Sequence, residues 1–175
     1  MISSVRKTKI PSGSEIAKTT SGAYYFDAYQ APIVADERSA LDIYLHMVNS
    51  TPEWVNWLMA LRNKAVAVVG LKNLGHLGDV EQPKSGINYQ VGDRVGIFSV
   101  LFLSDKEVIL GESDKHLDVK LSVYKMDENK PTVFISTVVH VHNVLGRLYM
   151  LFVTPMHKLI APTMLKKIEA KSDGA

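Results

Sequence analysis

The chain has 175 residues, of which 46% are hydrophobic and 22% are charged, so it is long enough and apolar enough for one domain with its own core. Its formal net charge of +2 is too small to indicate nucleic acid or an acidic membrane as a partner. The chain contains no cysteine, which excludes disulfides, thiolate zinc sites and a cysteine nucleophile.

Residues 1–20 are polar and rich in serine, lysine and threonine, and we predict a flexible N-terminal arm there. This start has no apolar segment of the kind found in signal peptides. No apolar run approaches the roughly 18 residues of a membrane span, so we expect no membrane span and a soluble, cytoplasmic protein. A single domain is predicted over residues 21–170, followed by a polar tail at 171–175.

The first strand and two short helices are predicted before residue 71. The aromatic residues between Tyr24 and Tyr29 suit a half-buried strand. Ser39 is the predicted N-cap of the first helix. Thr51-Pro52 begins the second, because proline at the first helical position lacks the amide that would stay unpaired there. A glycine-rich loop over 71–93 follows, where an entrance to the interior would open.

Five antiparallel strands are predicted after this loop. The first two cover about 94–103 and 106–112, and three longer runs extend to residue 153. From residue 117 to 123, apolar and polar side chains alternate, which is the pattern of a strand with one buried face. Polar residues at 127–131 and 143–146 predict turns before the last two runs, and short connections favour antiparallel pairing.

A terminal helix is predicted from Thr154-Pro155, with a kink at Pro162. Its apolar stripe consists of Met156, Leu159, Ile160, Met164 and Ile168. Strands grouped together, with helices to one side, indicate an α+β fold. We therefore predict a curved antiparallel sheet around a long C-terminal helix, with an apolar hollow between them.

Several short motifs, in order and spacing, resemble those of one bacterial family, domain-of-unknown-function family 2867, in the SRPBCC or START-like (Bet v 1-like) helix-grip superfamily. The motifs are Pro52-Glu53-Trp54, Leu61-Arg62-Asn63, Gly70-Leu71-Lys72, Asp114-Lys115-His116-Leu117-Asp118, Asn143-x-x-Gly146-Arg147-x-Tyr149 and Pro155-x-His157. The resemblance implies the helix-grip fold. It also implies an apolar small molecule in the hollow, or an enzymatic activity as in some superfamily members. It supplies no catalytic residue.

Strand register gives a second, independent prediction. A regular hairpin around residues 125–131 would place His116 opposite His140 and Asp114 opposite His142. The run at 147–153 would add Arg147 and Tyr149 to the same polar face. Three interpretations stay open: a solvated outer surface, a hydrogen-bonded network at the mouth of the hollow, and a metal or acid–base site.

These observations support three functional hypotheses. The first is a binding protein for an apolar or amphipathic small molecule, with no cofactor and no metal. Its candidate binding residues are Arg62, His116, Arg147, Tyr149, Met150, Phe152, His157, Ile160 and Met164. The second is a cyclase, hydrolase or isomerase whose acid–base candidates are His116, Asp118 and His140. The third is a non-catalytic interaction subunit of a dehydrogenase-like partner, or a protein that forms homo-oligomers.

Overall fold

The described residues (5–33, 37–68, 89–126 and 130–169) form a seven-stranded antiparallel sheet and three α-helices in the computed structural model. In chain order the elements are β1 (Arg6–Thr8), a 3-10 helix (Glu15–Thr19), β2 (Tyr25–Pro32), α1 (Ala40–Asn49), α2 (Glu53–Val68), β3 (Arg94–Val95), β4 (Phe98–Leu103), β5 (Glu107–Ser113), β6 (Leu117–Met126), β7 (Thr132–Val141) and α3 (Val144–Glu169). The strand order is β1-β2-β7-β6-β5-β4-β3. The predicted α+β class, with a curved antiparallel sheet and a long C-terminal helix, is confirmed.

Most of the predicted loop over 71–93 lies outside the described residues, as do Gly70-Leu71-Lys72 and the predicted tail at 171–175. Within the described ranges, no helix combines the length and the apolar character that crossing a membrane requires.

The first helix begins as its sequence predicts. The Ser39 side chain accepts a hydrogen bond from the Asp42 amide, and the Asp42 carboxylate accepts one from the Ser39 amide, both at 3.1 Å. This reciprocal capping box satisfies two amides that a helix start leaves without intrahelical partners. Leu41, Tyr44 and Val48 then lie on the buried face of α1, which packs on the inner face of the sheet and on α3.

The run at 147–153 is not a strand, which corrects the predicted fifth strand and the predicted turn at 143–146. These residues belong to α3, which begins at Val144 and includes both Pro155 and Pro162. The helix starts there because the Asn143 side-chain oxygen accepts a hydrogen bond from the Gly146 amide at 3.1 Å, as an N-cap does. A short apolar run fits both the two-residue repeat of a strand and the 3.6-residue repeat of a helix. In this chain the cap and the continuing stripe through Met164 favour the helix.

Two further details of the sheet differ from the prediction. The segment 94–103 is divided into β3 and β4 at Gly96, which has a φ of 60° that favours glycine. In the β6–β7 ladder, His140 lies opposite Asp118, two residues away from the predicted partner His116. Because the shift is even, the alternation is kept, and Leu117 and Val119 still face inward.

The N-terminal region covers part of the outer face of the sheet, although the sequence predicts a flexible arm over 1–20. Within residues 5–20, β1 pairs with β2, and Ile16 of the 3-10 helix is fully buried against Ile109 and Val138. The buried Glu107 carboxylate holds this helix by accepting hydrogen bonds from the Glu15 amide at 2.6 Å and the Ile16 amide at 3.2 Å. A charge-assisted cap of this kind satisfies amides that would otherwise be buried without partners.

We expect Gly146→Ala to destabilise the protein, although alanine ordinarily stabilises a helix by about 0.5–1 kcal/mol relative to glycine. A Cβ at this position would collide with the His116 carbonyl oxygen and lie 2.9 Å from Val141 Cγ1. Such overpacking costs about 1–3 kcal/mol. Urea unfolding of wild type and variant measures the difference.

Gly13→Ala is the matched control, because its Cβ would meet only the Tyr124 hydroxyl at an ordinary 3.5 Å. Its free energy of unfolding should stay within about 0.5 kcal/mol of wild type. A Gly146→Ala variant as stable as this control would contradict the tight junction between α3 and the β5–β6 turn.

Candidate functional site

A largely apolar cavity of about 210 Å³ lies between the inner face of the sheet and α3. Its sheet wall consists mainly of Leu117, Val119, Leu121, Ile135 and Val139, which alternate along β6 and β7. Across from this wall, α3 contributes side chains spaced three or four residues apart, because one face of a helix repeats at that interval. Residues of α1, α2, β4 and β5 also contribute to the lining.

Methionine is concentrated in this lining. Five of the seven methionines line the cavity, namely Met47, Met59, Met150, Met156 and Met164. Methionine side chains are unbranched and polarizable, so they adapt their shape to an irregular apolar partner. The cavity wall is therefore suited to contact an apolar molecule without a rigidly fixed outline.

A polar cluster, which we name the Asp27 cluster, lies at one end of the cavity and consists of Tyr25, Asp27, Thr137 and His157. The Asp27 side chain is 1% exposed and accepts a hydrogen bond from His157 Nε2 at 3.1 Å. Its other oxygen accepts a hydrogen bond from the Tyr25 hydroxyl at 2.5 Å. Tyr25, Thr137 and His157 line the cavity directly, and Asp27 stands behind them.

The Asp27 carboxyl is held in its ionised form. Burial alone would raise its pKa, but the hydrogen bond and charge of His157, with smaller contributions from Tyr25 and Lys7, bring that pKa below the ordinary 3.8. Burial, together with the hydrogen bond to Asp27 and its negative charge, raises the pKa of the Tyr25 hydroxyl, which therefore keeps its proton. An ionised carboxylate only accepts hydrogen bonds, so Nε2 of His157 carries a hydrogen.

Thr137 completes the cluster from the neighbouring strand. It lies directly opposite Asp27 in the β2–β7 ladder, where side chains on the same face are close neighbours. Its hydroxyl oxygen is buried and has no hydrogen-bond partner among the described residues. Thr137 is 5% exposed and lines the cavity, and its hydroxyl oxygen is buried beside that wall.

A second polar group, which we name the Arg62 pair, consists of Arg62 on α2 and Tyr149 on α3. Arg62 Nε donates to the Tyr149 hydroxyl at 2.9 Å, and its guanidinium lies 5.3 Å from the centre of the Tyr149 ring. Arg62 Nη1 also donates to the Asn63 side chain at 2.7 Å. Since the Tyr149 oxygen accepts from a cation, its own hydrogen is polarised and can be donated to an acceptor in the cavity.

The two polar groups lie at different places along α3. Tyr149 and His157 are eight residues apart on one helix face, which corresponds to roughly 12 Å along the axis at about 1.5 Å per residue. A base and an oxyanion donor that act on neighbouring atoms of one substrate have to lie much closer together. The spacing therefore indicates two separate polar contact points and not one shared reaction centre.

Six of the nine candidate binding residues line this cavity: Arg62, Tyr149, Met150, His157, Ile160 and Met164. Arg147 is exposed, and Phe152 is 68% exposed, on the solvent side of α3. His116 is buried before β6, where its Nδ1 lies 3.1 Å from the Asn143 side-chain oxygen. Their roles in binding stay predictions.

The other two acid–base candidates lie on the outer face of the sheet. Asp118 accepts hydrogen bonds from the Ser113 hydroxyl and from His142 Nε2, the latter at 3.1 Å, and these contacts lower its pKa against the effect of partial burial. His140 Nε2 lies 3.1 Å from the Ser21 carbonyl oxygen. In the described part of the chain, no group of three or more histidine, aspartate or glutamate side chains is arranged to hold a metal ion.

The sequence analysis did not identify Asp27, Tyr25 or Thr137 as site residues. One local signal existed, because Asp27 is the only charged residue in the predicted aromatic strand, and a carboxylate in such a strand has to find a partner when it is buried. The partner, His157, is 130 residues away in the chain. No spacing within the sequence connects the two.

We expect Asp27→Asn to lower the free energy of unfolding at about pH 6 by about 1–3 kcal/mol, because it removes the charged acceptor of two buried hydrogen bonds. The pKa of Asp27 is lowered by folding, so its stabilisation is complete above the ordinary value of 3.8 and is lost as the pH falls through the lowered value. The variant should therefore lose less stability than wild type between about pH 5 and pH 2.

Urea unfolding across this pH range makes the measurement, and Asp105→Asn serves as the control because Asp105 is exposed. This control should follow the wild-type curve. If Asp27→Asn also follows it, the Asp27 carboxylate is not stabilised by its neighbours.

Comparison with known proteins gives one match. A family model described as "Protein of unknown function (DUF2867)" matches residues 19–164, which includes every residue of the two polar groups. No curated protein and no solved structure matches the chain.

Proposed function

The chain belongs to the DUF2867 family, and we propose that it binds a small apolar or amphipathic molecule in the cavity between its sheet and α3. The observation that carries the proposal is the composition of the cavity wall, which is mostly apolar and has a few polar groups at defined positions. Ligand pockets ordinarily have this composition, because apolar burial supplies affinity and the polar groups fix orientation. The lining described above contains both kinds of side chain.

The volume limits the size of the ligand. Pockets for drug-sized molecules measure about 300–1,000 Å³, whereas an engineered apolar cavity of about 150 Å³ binds benzene. At about 210 Å³, this cavity suits a molecule with a single substituted ring or a comparable short chain. A ligand of sterol size would have to displace part of the wall.

The polar groups would orient such a molecule. The Asp27 cluster and the Arg62 pair lie at separate points along α3, so one polar substituent would contact one group while the apolar body lies against the methionines. The Arg62 pair offers a polarised hydroxyl donor, which suits a carbonyl or another acceptor. The Asp27 cluster instead offers the imidazole of His157.

We propose the helix-grip architecture of the SRPBCC superfamily for this fold. The support is the order of elements, since one strand, two helices, five strands and a long terminal helix follow one another from β2 to α3. In the helix-grip arrangement the terminal helix lies against the sheet, and the packing of α3 on β2 and β7 supports the proposal.

Toluene tests the binding proposal because it is a single apolar ring, and methionine methyl groups provide the readout. In protein labelled with 13C at the methionine methyls, toluene should shift the signals of Met47, Met59, Met150, Met156 and Met164. Met126, at the end of β6 and outside the lining, should not shift and is the internal control.

A matched pair of variants locates the binding. Ala161 is 6% exposed and lines the cavity, so Ala161→Leu should fill part of the volume and weaken the toluene response. Leu159→Met changes a residue on the solvent side of α3 that is 62% exposed, and the response should be retained. Absence of any shift in the five signals, or an equal shift of Met126, would overturn the proposal.

A further inference from the structure

We infer that the ligand of this cavity carries a weakly acidic hydroxyl group on its apolar ring, and that His157 accepts the proton of that hydroxyl. The inference rests on the proposed binding function and specifies the chemistry of the ligand. The site would hold the molecule as an oxyanion, paired with an imidazolium that Asp27 stabilises from behind.

The hydrogen-bond directions in the Asp27 cluster carry this inference. Both oxygens of the buried Asp27 carboxylate are occupied, one by His157 Nε2 and the other by the Tyr25 hydroxyl. When the ring is neutral and its hydrogen is on Nε2, Nδ1 carries a lone pair, and no described residue hydrogen-bonds to Nδ1. His157 lines the cavity, and its side chain is 21% exposed. An incoming group therefore meets a hydrogen-bond acceptor at this position.

Thr137 is the second, independent observation. Its buried hydroxyl has no partner among the described residues, and it lines the same cavity beside Asp27. A buried hydroxyl without a partner costs about 1–3 kcal/mol, so a ligand oxygen that reached this hydroxyl would recover part of that cost. A threonine hydroxyl can donate to an oxygen that has just lost its proton.

The proton transfer is a simple exchange. The ligand O–H bond breaks, its proton forms a bond to Nδ1, and both electrons of the O–H bond stay on the ligand oxygen. Nε2 keeps its hydrogen and continues to donate to Asp27. The products are an oxyanion and an imidazolium in contact, with the Asp27 carboxylate on the far side of the imidazole ring. The apolar wall has a low dielectric constant, which strengthens the attraction between the oxyanion and the imidazolium.

Other polar groups fit this position less well. A ligand carboxylate is already ionised in neutral water and would have to lose its hydration as an anion to enter this apolar cavity, and a ligand ammonium would meet a carboxylate whose two oxygens are already occupied. A hydroxyl enters neutral and becomes charged only as His157 gains the balancing proton. The cluster therefore selects a group that can be ionised within the cavity.

The remaining charged groups around the cavity have other contacts. Lys7 acts on the Asp27 carboxylate from β1. Arg62 is bonded to Tyr149, Glu112 to Arg94, and Asp114 accepts hydrogen bonds from the backbone amides of His116 and Leu117. Among the described lining residues, His157 is the one imidazole.

4-Nitrophenol tests the inference, because it ionises near neutral pH and its anion absorbs visible light strongly. Bound to wild-type protein, its ionisation midpoint should fall by about one pH unit or more relative to free 4-nitrophenol, since an opposite charge within a few ångströms shifts a pKa by about that amount. His157→Gln should abolish this shift. His140→Gln, which changes a histidine on the outer face of the sheet, should leave it unchanged.

4-Nitrotoluene, which has a similar ring and no hydroxyl, separates failure of the inference from failure of the proposed function. If both compounds shift the five methionine signals but 4-nitrophenol keeps its free ionisation midpoint, the hydroxyl inference is overturned and apolar binding stands. If neither compound shifts those signals, the proposed function itself fails.

Histidine NMR of the wild-type protein makes the test independent of the variants. In 15N-labelled protein, 4-nitrophenol should convert His157 to the doubly protonated ring, and 4-nitrotoluene should not. A His157 that keeps its tautomer with both compounds would overturn the inference, whatever the folding behaviour of His157→Gln.

Discussion

The cavity depends on the path of the chain between β7 and α3, and Asn143 fixes that path. Its side-chain oxygen accepts from the Gly146 amide and caps α3, while its side-chain nitrogen donates to the Lys115 carbonyl in the β5–β6 turn at 2.9 Å. His116 contacts the same side-chain oxygen through Nδ1. Because residue 146 has no Cβ, the helix start can approach the turn closely. The helix then crosses the inner face of the sheet and forms the second wall of the cavity.

The two faces of the sheet are completed in different ways. On the outer face, the 3-10 helix is held by Glu107, and Ile16 packs on Ile109 and Val138. On the inner face, the helices leave about 210 Å³ unfilled. A well-packed core leaves few voids of this size, so the inner face departs from close packing where the cavity lies, as functional sites commonly do.

The parts of the fold that could be predicted are those whose signals are local. The N-cap at Ser39 and the alternation from Leu117 to Val123 each depend on residues within one element, and both predictions are confirmed. The prediction of a strand at 147–153 is wrong because six consecutive apolar residues fit both the two-residue repeat of a strand and the 3.6-residue repeat of a helix. The deciding contact, between Asn143 and Gly146, was interpreted as a turn. The cap and the start of a turn use the same residue types, so the error is a physical ambiguity of that segment.

The candidate site shows the limits of sequence reasoning from residue type. Histidines and aspartates are dense between residues 114 and 142, and that density led to a predicted polar site on one face of the sheet. There, Asp118 pairs with His142 at the surface, and His140 contacts the backbone of residue 21.

The pair that faces the cavity joins a strand near the start of the chain to a helix near its end, and it contains one histidine and one aspartate. Its distinguishing property is burial of a charge beside apolar open space. Sequence density does not encode burial, because burial is decided by which elements pack together. A carboxylate in a β-strand becomes chemically informative only when the fold places a basic group against it.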